Sequence, residues 1–352
     1  MNRLKYIDAL RGLAILMVVI VHIEGFGLYA EQAFDVSILW HICEAIMLPL
    51  FFFISGFCFK IQSTKELIKC CIRLIVPAII LGIIHSLIFE KEILSFFCNV
   101  YKWGYWFTIT LCGMFVILHY IVKISKNQSS LIWTLILISC FLYILKVPFN
   151  SYIILTKIGN IFCLHQLFVY FHYFAVGHIF ARNKEFYHKT LNNEFITIVS
   201  IFVFFLALYI KHTYTDDELT TTIPLKIYRA IQQPILGYSS LALIVRFLYQ
   251  SDYLLSKNVF GKLICYIGTH TLEIYLLHYF FIPKLSSVGT YLTNYPNIII
   301  ELLICLILST LVIGFSLLLG RVIRTNEILS FFLIGTKLPI KKTTIEQTIN
   351  AK

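Results

Sequence analysis

Residues 6–26 read YIDALRGLAILMVVIVHIEGF, an apolar run of membrane-spanning length that nevertheless carries several ionisable side chains. A transmembrane helix needs about 20 predominantly apolar residues. Similar runs recur along the chain, and together they predict spans at 8–28, 38–59, 72–89, 105–122, 129–147, 161–181, 195–211, 229–248, 263–283 and 297–321. The sequence therefore predicts an all-α fold, a polytopic membrane helix bundle with about ten transmembrane helices.

The composition supports this fold. Of 352 residues, 59% are hydrophobic and 13% charged, whereas about 25% are charged in an ordinary soluble domain. The first run has no small-residue cleavage site, so we expect no cleavable signal peptide. Because the gaps between runs are short, we predict one membrane domain over residues 1–323 and a short polar cytoplasmic tail over 324–352. No attached soluble catalytic domain is expected, so any chemistry must lie on the membrane helices or their loops.

The basic residues predict the orientation of the bundle. If the N-terminus, the even-numbered loops and the tail are cytoplasmic, 21 of the 29 Lys and Arg lie on that side, leaving 8 on the other. Cytoplasmic loops carry an excess of Lys and Arg. Both termini are therefore predicted to be cytoplasmic, which requires an even number of spans. The same distribution accounts for the net charge of +11 without a nucleic-acid partner.

The first span holds the most informative polar residues, since ionisable side chains are costly inside a membrane. Asp8 and Arg11 are three residues apart and can pair on one helical face. His22 follows Arg11 by eleven residues, which returns to nearly the same azimuth after a rise of about 16 Å. One stripe thus carries a cation near the cytoplasmic surface and an imidazole beyond mid-membrane. Taken singly, Arg11 could be an interfacial anchor and His22 a satisfied interior histidine.

Two further side chains are predicted at the depth of His22. Glu44 falls in the outer third of the second span, and His278 falls in the outer half of the ninth. An imidazole beside a carboxylate in a low-dielectric pocket is the arrangement that a general base needs. His22, Glu44 and His278 are therefore the candidate catalytic residues.

Three cations are predicted near the cytoplasmic surface, namely Arg11, Lys69 and Arg73. Guanidinium and ammonium groups suit an anionic ligand that arrives from the cytosol. Basic residues are also expected at this level in any inner-membrane protein, so this cluster supports a ligand site only together with the outer one.

No metal site is predicted. The ten cysteines are scattered through apolar runs without a C-x-x-C pair, as expected of small buried hydrophobes. His165 and His172 share a face of the sixth span, but no carboxylate accompanies them at ligand spacing.

Five stretches together point to a known family. They are YIDALRGLAILMVVIVH at 6–22, MLPLFFFISGF at 47–57, IRLIVP at 72–77, YWFTITL at 105–111 and EIYLLH at 273–278. In this order they resemble the motifs of the acyltransferase family 3 membrane proteins, bacterial enzymes that O-acetylate cell-surface sugars. The Arg-x10-His pattern of that family is met by Arg11 and His22. The resemblance covers the first hundred residues and the ninth span.

The resemblance implies a membrane O-acyltransferase in the bacterial cytoplasmic (inner) membrane. Its donor would be a cytosolic acyl-CoA, usually acetyl-CoA, and its acceptor a saccharide or lipid-linked glycan, as in lipopolysaccharide or capsule modification. His22 would deprotonate the acceptor hydroxyl or carry the acyl group covalently, and Glu44 or His278 would orient it. The residues assigned to donor binding are Arg11, Arg73, Lys69, Asp8, Ser55 and Trp106.

The chain departs from the family pattern in two ways. The basic run before Pro77 reads KCCIR rather than several arginines. We also expect a stand-alone member without an appended esterase-like domain.

The sequence is also compatible with two functions from other classes. A secondary transporter or flippase for a glycolipid could use His22, Glu44 and His278 as a proton relay. It would move its substrate without covalent change, and it would ideally show inverted repeats, which this sequence does not display. A non-catalytic sensor or scaffold is the third function, although a buried Arg and His on one stripe are costly for such a role.

Overall fold

The computed structural model describes residues 4–29, 37–151, 153–214 and 222–337, with side chains described outside 147–155. Every regular element in these ranges is helical, which confirms the all-α prediction. The α-helices are α1 Lys5–His22, α2 Ile38–Phe57, α3 Thr64–Ile88, α4 Ile93–Cys98, α5 Trp106–Ile124, α6 Gln128–Ser151, α7 Ile153–Phe162, α8 Leu164–Arg182, α9 Lys184–Leu191, α10 Glu194–Thr213, α11 Ile223–Gln250, α12 Asp252–Lys257, α13 Val259–Thr269, α14 Thr271–Leu277, α15 Ser286–Asn294, α16 Ile298–Ile323 and α17 Glu327–Ile334. A π-helical turn, Ile23–Leu28, continues α1, and 3₁₀ turns cover Lys102–Gly104 and His278–Phe281.

Capping side chains set where α2 and α3 begin. The hydroxyl of Ser37 accepts a hydrogen bond from the backbone N–H of Trp40 at 3.1 Å. Ser63 and Glu66 form a capping box, in which each side chain accepts from the backbone N–H of the other residue. The first N–H groups of a helix lack partners within it, so these polar residues fix the loop–helix boundaries.

Seven helical segments in the described residues are long and apolar enough to cross a membrane, and the chain is a multi-pass membrane protein. They are Lys5–Leu28, Ile38–Phe57, Thr64–Ile88, Trp106–Ile124, Gln128–Lys146, Glu194–Thr213 and Ile298–Ile323. The other three predicted spans fall on α8, on α11 and on the broken segment α13–α14. The total of ten spans and the cytoplasmic termini stay predictions, and most of the predicted tail (338–352) lies outside the described residues.

The predicted ninth span, 263–283, is interrupted rather than continuous. It is divided into α13, α14 and the 3₁₀ turn His278–Phe281. Before the break, Gly268 lies so close to α1 that a Cβ would overlap the backbone of Asp8. After the break, the buried carboxylate of Glu273 pairs with Arg324 at the end of α16. The interrupted segment is thus held against both α1 and α16.

Helix α1 lies at the centre of the bundle. It is the most buried of the seven spanning segments and packs against α2, α13 and α16. Its first half belongs to an apolar cluster with α2, α5 and α8, and its second half to a cluster with α14 and α16. Because neighbouring helices shield α1 from lipid, its polar side chains face protein or an internal cavity.

Helices α2 and α8 approach closely through a reciprocal pair of glycines. A Cβ added to Gly56 would overlap the backbone of Phe174, and one added to Gly177 would overlap the backbone of Phe53. Small residues allow this backbone approach between membrane helices. Since α2 also carries Glu44 and Ser55, this contact helps to position one wall of the site described below.

We expect Gly56→Leu to destabilise the protein by about 1–3 kcal/mol, because the added side chain forces α2 away from α8. The matched control is Gly314→Leu on α16, where an added Cβ would have no neighbour within 4 Å. Melting temperatures of both purified variants, followed by tryptophan fluorescence in the same detergent, measure the difference. Equal melting temperatures would show that the α2–α8 contact tolerates repacking.

Candidate active site

A cavity of about 1060 Å³ runs beside α1. Arg11 and His22 both line it, and their positions on the helix are separated by a rise of about 16 Å. Helices α2, α3, α5, α8 and the broken α14 segment supply the other walls. The cavity therefore joins the two levels at which the sequence predicts a cation and an imidazole.

His22 and His278 are in direct contact at one end of this cavity. Nδ1 of His22 lies 2.8 Å from Nε2 of His278, and the two rings stack with centroids 5.0 Å apart. His22 is the last residue of α1, just before the π-helical turn. His278 has no exposed surface and lies behind His22 rather than in the cavity wall. The structure thus brings together two of the three predicted catalytic residues.

The surroundings of His278 determine which nitrogen of His22 carries the proton in the neutral pair. Nδ1 of His278 lies 2.8 Å from the carbonyl oxygen of Tyr275 and 3.0 Å from that of Ile274. Carbonyl oxygens only accept, so Nδ1 of His278 must carry a proton and its Nε2 must accept from His22 in the neutral pair. Nδ1 of His22 is then the donor. Its Nε2 therefore holds the lone pair that a general base requires.

Tyr279 contacts the other nitrogen of His22. Its hydroxyl lies 3.2 Å from Nε2 of His22, so that consecutive residues of one 3₁₀ turn, His278 and Tyr279, contact both imidazole nitrogens. Gly104 lies directly against the Tyr279 hydroxyl, where a Cβ would overlap it, and has a φ of +101°. Only glycine combines this backbone conformation with the absence of a side chain. Gly104 therefore provides the space that Tyr279 occupies.

The sequence pattern does not single out Tyr279, which is one of 21 tyrosines. The available signal was its position directly after His278 in EIYLLHY. In a continuous helix, adjacent side chains point about 100° apart and would not be expected to reach the same ring. Both residues lie in a 3₁₀ turn that directly follows α14, which the apolar pattern does not predict.

Glu44, the third predicted catalytic residue, has a different partner. It lines the same cavity from α2, but its carboxylate pairs with the ammonium of Lys211 on α10. One turn earlier on α2, His41 packs against the ring of His212 at 5.6 Å. Glu44 is thus placed to meet a ligand in the cavity, whereas the hydrogen bond at Nδ1 of His22 is made by His278.

Arg11 lines the cavity about three helical turns before His22 on α1. Its guanidinium is 3.7 Å from the carboxylate of Asp8, and about a third of its side chain is exposed. Asp8 is buried and is not among the cavity-lining residues, so it orients Arg11 rather than facing a ligand. Ser55 lines the cavity as well, with its hydroxyl donating to the carbonyl of Phe51 at 2.8 Å.

The other predicted donor-binding residues are divided between the cavity and the surface. Trp106 lines the cavity, with its ring packed against Tyr170 and Phe52. Lys69 is exposed on α3 and Arg73 is half-buried there; neither is a cavity-lining residue. Nε of Arg73 donates to the carbonyl of Gly335 at 2.7 Å, which ties α3 to the end of α17.

Aromatic and amide side chains surround the His22 end of the cavity. Phe26 stacks on His22 with ring centroids 5.6 Å apart. The ammonium of Lys91 lies 4.2 Å from the ring centre of Trp103, which forms part of the wall with Tyr101 and Asn99. Flat apolar rings beside hydrogen-bonding amides suit a ligand that has both apolar faces and hydroxyl groups.

A buried lysine supports the loop that carries Trp103. Nζ of Lys102 donates to the carbonyl of Phe97 at 2.7 Å, and burial lowers the pKa of Lys102. Lys102 and Trp103 both have positive φ angles, of 45° and 52°. The Lys102–Phe97 bond and the packing around it hold this uncommon backbone in place.

Within the described ranges, no group of three or more His, Cys, Asp or Glu residues is arranged to hold a metal ion. The side chains that line the cavity include imidazoles, phenols, lysine ammonium groups, the Glu44 carboxylate and the Arg11 guanidinium.

Comparison with known proteins identifies the family of this chain. The model of acyltransferase family 3, described as an acyltransferase domain, matches residues 4–321, nearly the whole chain. No significant match was found among curated proteins or among solved structures. The matched region contains α1, the cavity and both histidines of the contact pair. The chain therefore belongs to acyltransferase family 3.

Proposed function

We propose that this acyltransferase moves an acyl group, acetyl in the first instance, from cytosolic acyl-CoA to a hydroxyl of a cell-surface or exported saccharide. The observation that carries the proposal is the single cavity joining Arg11 to the unprotonated Nε2 of His22. A cation and a base that line one cavity suit an anionic donor and an acceptor that must lose a proton.

The donor end is supported by the residues around Arg11. The phosphates of coenzyme A form strong, charge-assisted hydrogen bonds with guanidinium groups. Arg11 is already oriented by Asp8, so little side-chain freedom is lost on binding. Lys69 and Arg73 lie on α3 outside the cavity, where they would contact the part of coenzyme A that stays near the cytosol.

The acceptor end is supported by the walls around His22. Trp103, Tyr101 and Phe26 offer flat apolar faces, while Asn99 and Glu44 offer hydrogen-bonding groups. Sugars present both kinds of surface, since a pyranose has apolar C–H faces and a rim of hydroxyls. The paired Glu44 and Lys211 would orient the sugar ring rather than transfer its proton.

The proposed reaction is a direct transfer from the donor to the acceptor. Nε2 of His22 takes the proton of the acceptor hydroxyl as the oxygen of that hydroxyl attacks the thioester carbonyl carbon. The C–S bond then breaks, and the leaving thiolate takes that proton from His22. Coenzyme A leaves as the thiol, and the base is restored.

In the alternative route, His22 itself carries the acyl group. Mass spectrometry of rapidly quenched enzyme distinguishes the two routes, because only the second gives an acyl adduct on His22.

Two measurements test the proposed function. Radiolabel supplied as acetyl-CoA to the cytoplasmic side of membrane vesicles should appear on a surface glycan. Deletion of the gene should remove one acyl unit from the mass of that glycan. Transport of a glycolipid without any mass change would contradict the proposal and favour a flippase.

We expect Arg11→Ala to raise the KM for acetyl-CoA about 10- to 100-fold with a smaller change in kcat, because the guanidinium contributes mainly to binding the donor. Lys189→Ala is the matched control, since Lys189 is exposed on α9, lies outside the cavity and has no assigned part in donor binding. Initial rates of both variants in nanodiscs, measured over a range of acetyl-CoA concentrations, give the two constants. An unchanged KM in Arg11→Ala would place the donor elsewhere.

A further inference from the structure

We propose that Tyr279 is a catalytic residue, whose hydroxyl hydrogen-bonds the thioester carbonyl oxygen as negative charge develops on it. This inference rests on the proposed acyl transfer at His22 and adds a residue with its own role to that site.

The Tyr279 hydroxyl donates to the same lone pair of His22 that an acceptor hydroxyl must use. The hydrogen bonds of His278 leave Nε2 of His22 as an acceptor, so the contact of 3.2 Å with Tyr279 is a phenol donating to the base. An acceptor hydroxyl can give its proton to Nε2 only by taking the place of that donor. Substrate binding therefore frees the Tyr279 O–H.

The freed hydroxyl is left in a buried position without its former partner. Tyr279 is 5% exposed, and a buried donor without an acceptor costs free energy. The carbonyl oxygen of the thioester is bonded to the carbon that the acceptor oxygen attacks. It therefore lies within roughly 3 Å of the space beside Nε2 where the Tyr279 hydroxyl is found.

Tyr279 is also held rigidly, as an oxyanion donor must be. Gly104 closes one side of the phenol. The Tyr105 ring lies 5.3 Å away, and the His278 ring 4.0 Å away, between ring centroids. Because these neighbours fix the ring before substrate arrives, no reorganisation is needed when the charge forms.

The phenol keeps its proton throughout the reaction. It donates first to Nε2 of His22, then to the developing oxyanion, and again to Nε2 once the thiolate has left with the transferred proton. Nothing is oxidised or reduced, and the only bonds to carbon that change are the new C–O and the broken C–S bond.

The test is Tyr279→Phe in the full-length protein, which removes the hydroxyl and keeps the ring. We expect kcat to fall about 10²-fold, as for removal of an oxyanion donor, with the KM for acetyl-CoA unchanged. The matched control is Tyr187→Phe, a buried tyrosine outside the cavity lining whose hydroxyl donates to that of Tyr6 at 3.4 Å. This control should keep kcat, because its hydroxyl does not face His22.

A second variant separates chemistry from packing. Incorporation of 3-fluorotyrosine at position 279 restores a hydroxyl, and kcat should recover to within several-fold of wild type. If Tyr279→Phe is as active as wild type or faster, the hydroxyl only caps the base and the inference fails. An acyl adduct on Tyr279 in quenched enzyme would also overturn it, since the residue would then be a nucleophile. If the wild-type protein transfers no acyl group, it is the proposed function that fails.

Discussion

Replacing His22 with alanine should lower the rate of acyl transfer about 10³-fold or more. His22 supplies the unprotonated Nε2 at the cavity wall, and loss of a positioned general base typically costs 10²- to 10⁴-fold. The rate should be measured with purified protein in nanodiscs, from radiolabelled acetyl-CoA to the acceptor glycan. We expect the KM for acetyl-CoA to change little, because Arg11 lies about 16 Å away along α1.

Two further variants make the His22 result decisive. His22→Gln keeps an amide that can donate to His278 but has no basic nitrogen, so it should be as inactive as His22→Ala while preserving the packing. His188→Ala is the matched control, since His188 is exposed on α9 and bonds to Tyr249 at 2.9 Å away from the cavity. Substantial activity in His22→Gln would show that the base is another group.

The helical fold and the placing of Arg11 and His22 on one side of α1 were predictable from the sequence. Apolar run length and the 3.6-residue period depend on local sequence alone. The eleven-residue spacing of Arg11 and His22 therefore sufficed to place them on one stripe of one helix, and both do line one cavity. Membership of acyltransferase family 3 was indicated by the ordered motifs and is confirmed.

The partners of these residues were less predictable, because they depend on which helices are neighbours. Glu44 was expected near His22 by depth, yet it pairs with Lys211, 167 residues further along the chain. Arg73 was assigned to the donor, and its Nε bonds to Gly335, 262 residues away. Depth follows from counting residues along a span, whereas azimuth and adjacency follow from the packing of whole helices. The break in the predicted ninth span is likewise flanked by tertiary contacts, at Gly268 and at Glu273, which the sequence pattern does not show.

His278→Phe should reduce kcat by about 10²- to 10⁴-fold, although His278 does not line the cavity. Its Nε2 is the acceptor that holds the proton of His22 on Nδ1. Without that acceptor, the tautomer with the proton on Nε2 becomes accessible, and this tautomer cannot take a proton from the acceptor hydroxyl. The KM for acetyl-CoA should stay near the wild-type value, because the donor end of the cavity is unchanged.

A rescue experiment distinguishes this tautomer role from simple packing. In His278→Gln, the side-chain carbonyl can reach the former position of Nε2 and accept from Nδ1 of His22, while the hydrogen bond to the Tyr275 carbonyl is lost. If the tautomer is what matters, Gln should recover much of the activity that Phe loses. If packing alone matters, Phe should be the better replacement, since it keeps an aromatic ring against His22 and Tyr279. The order of kcat for Gln and Phe thus decides whether the second histidine acts through the proton on the first.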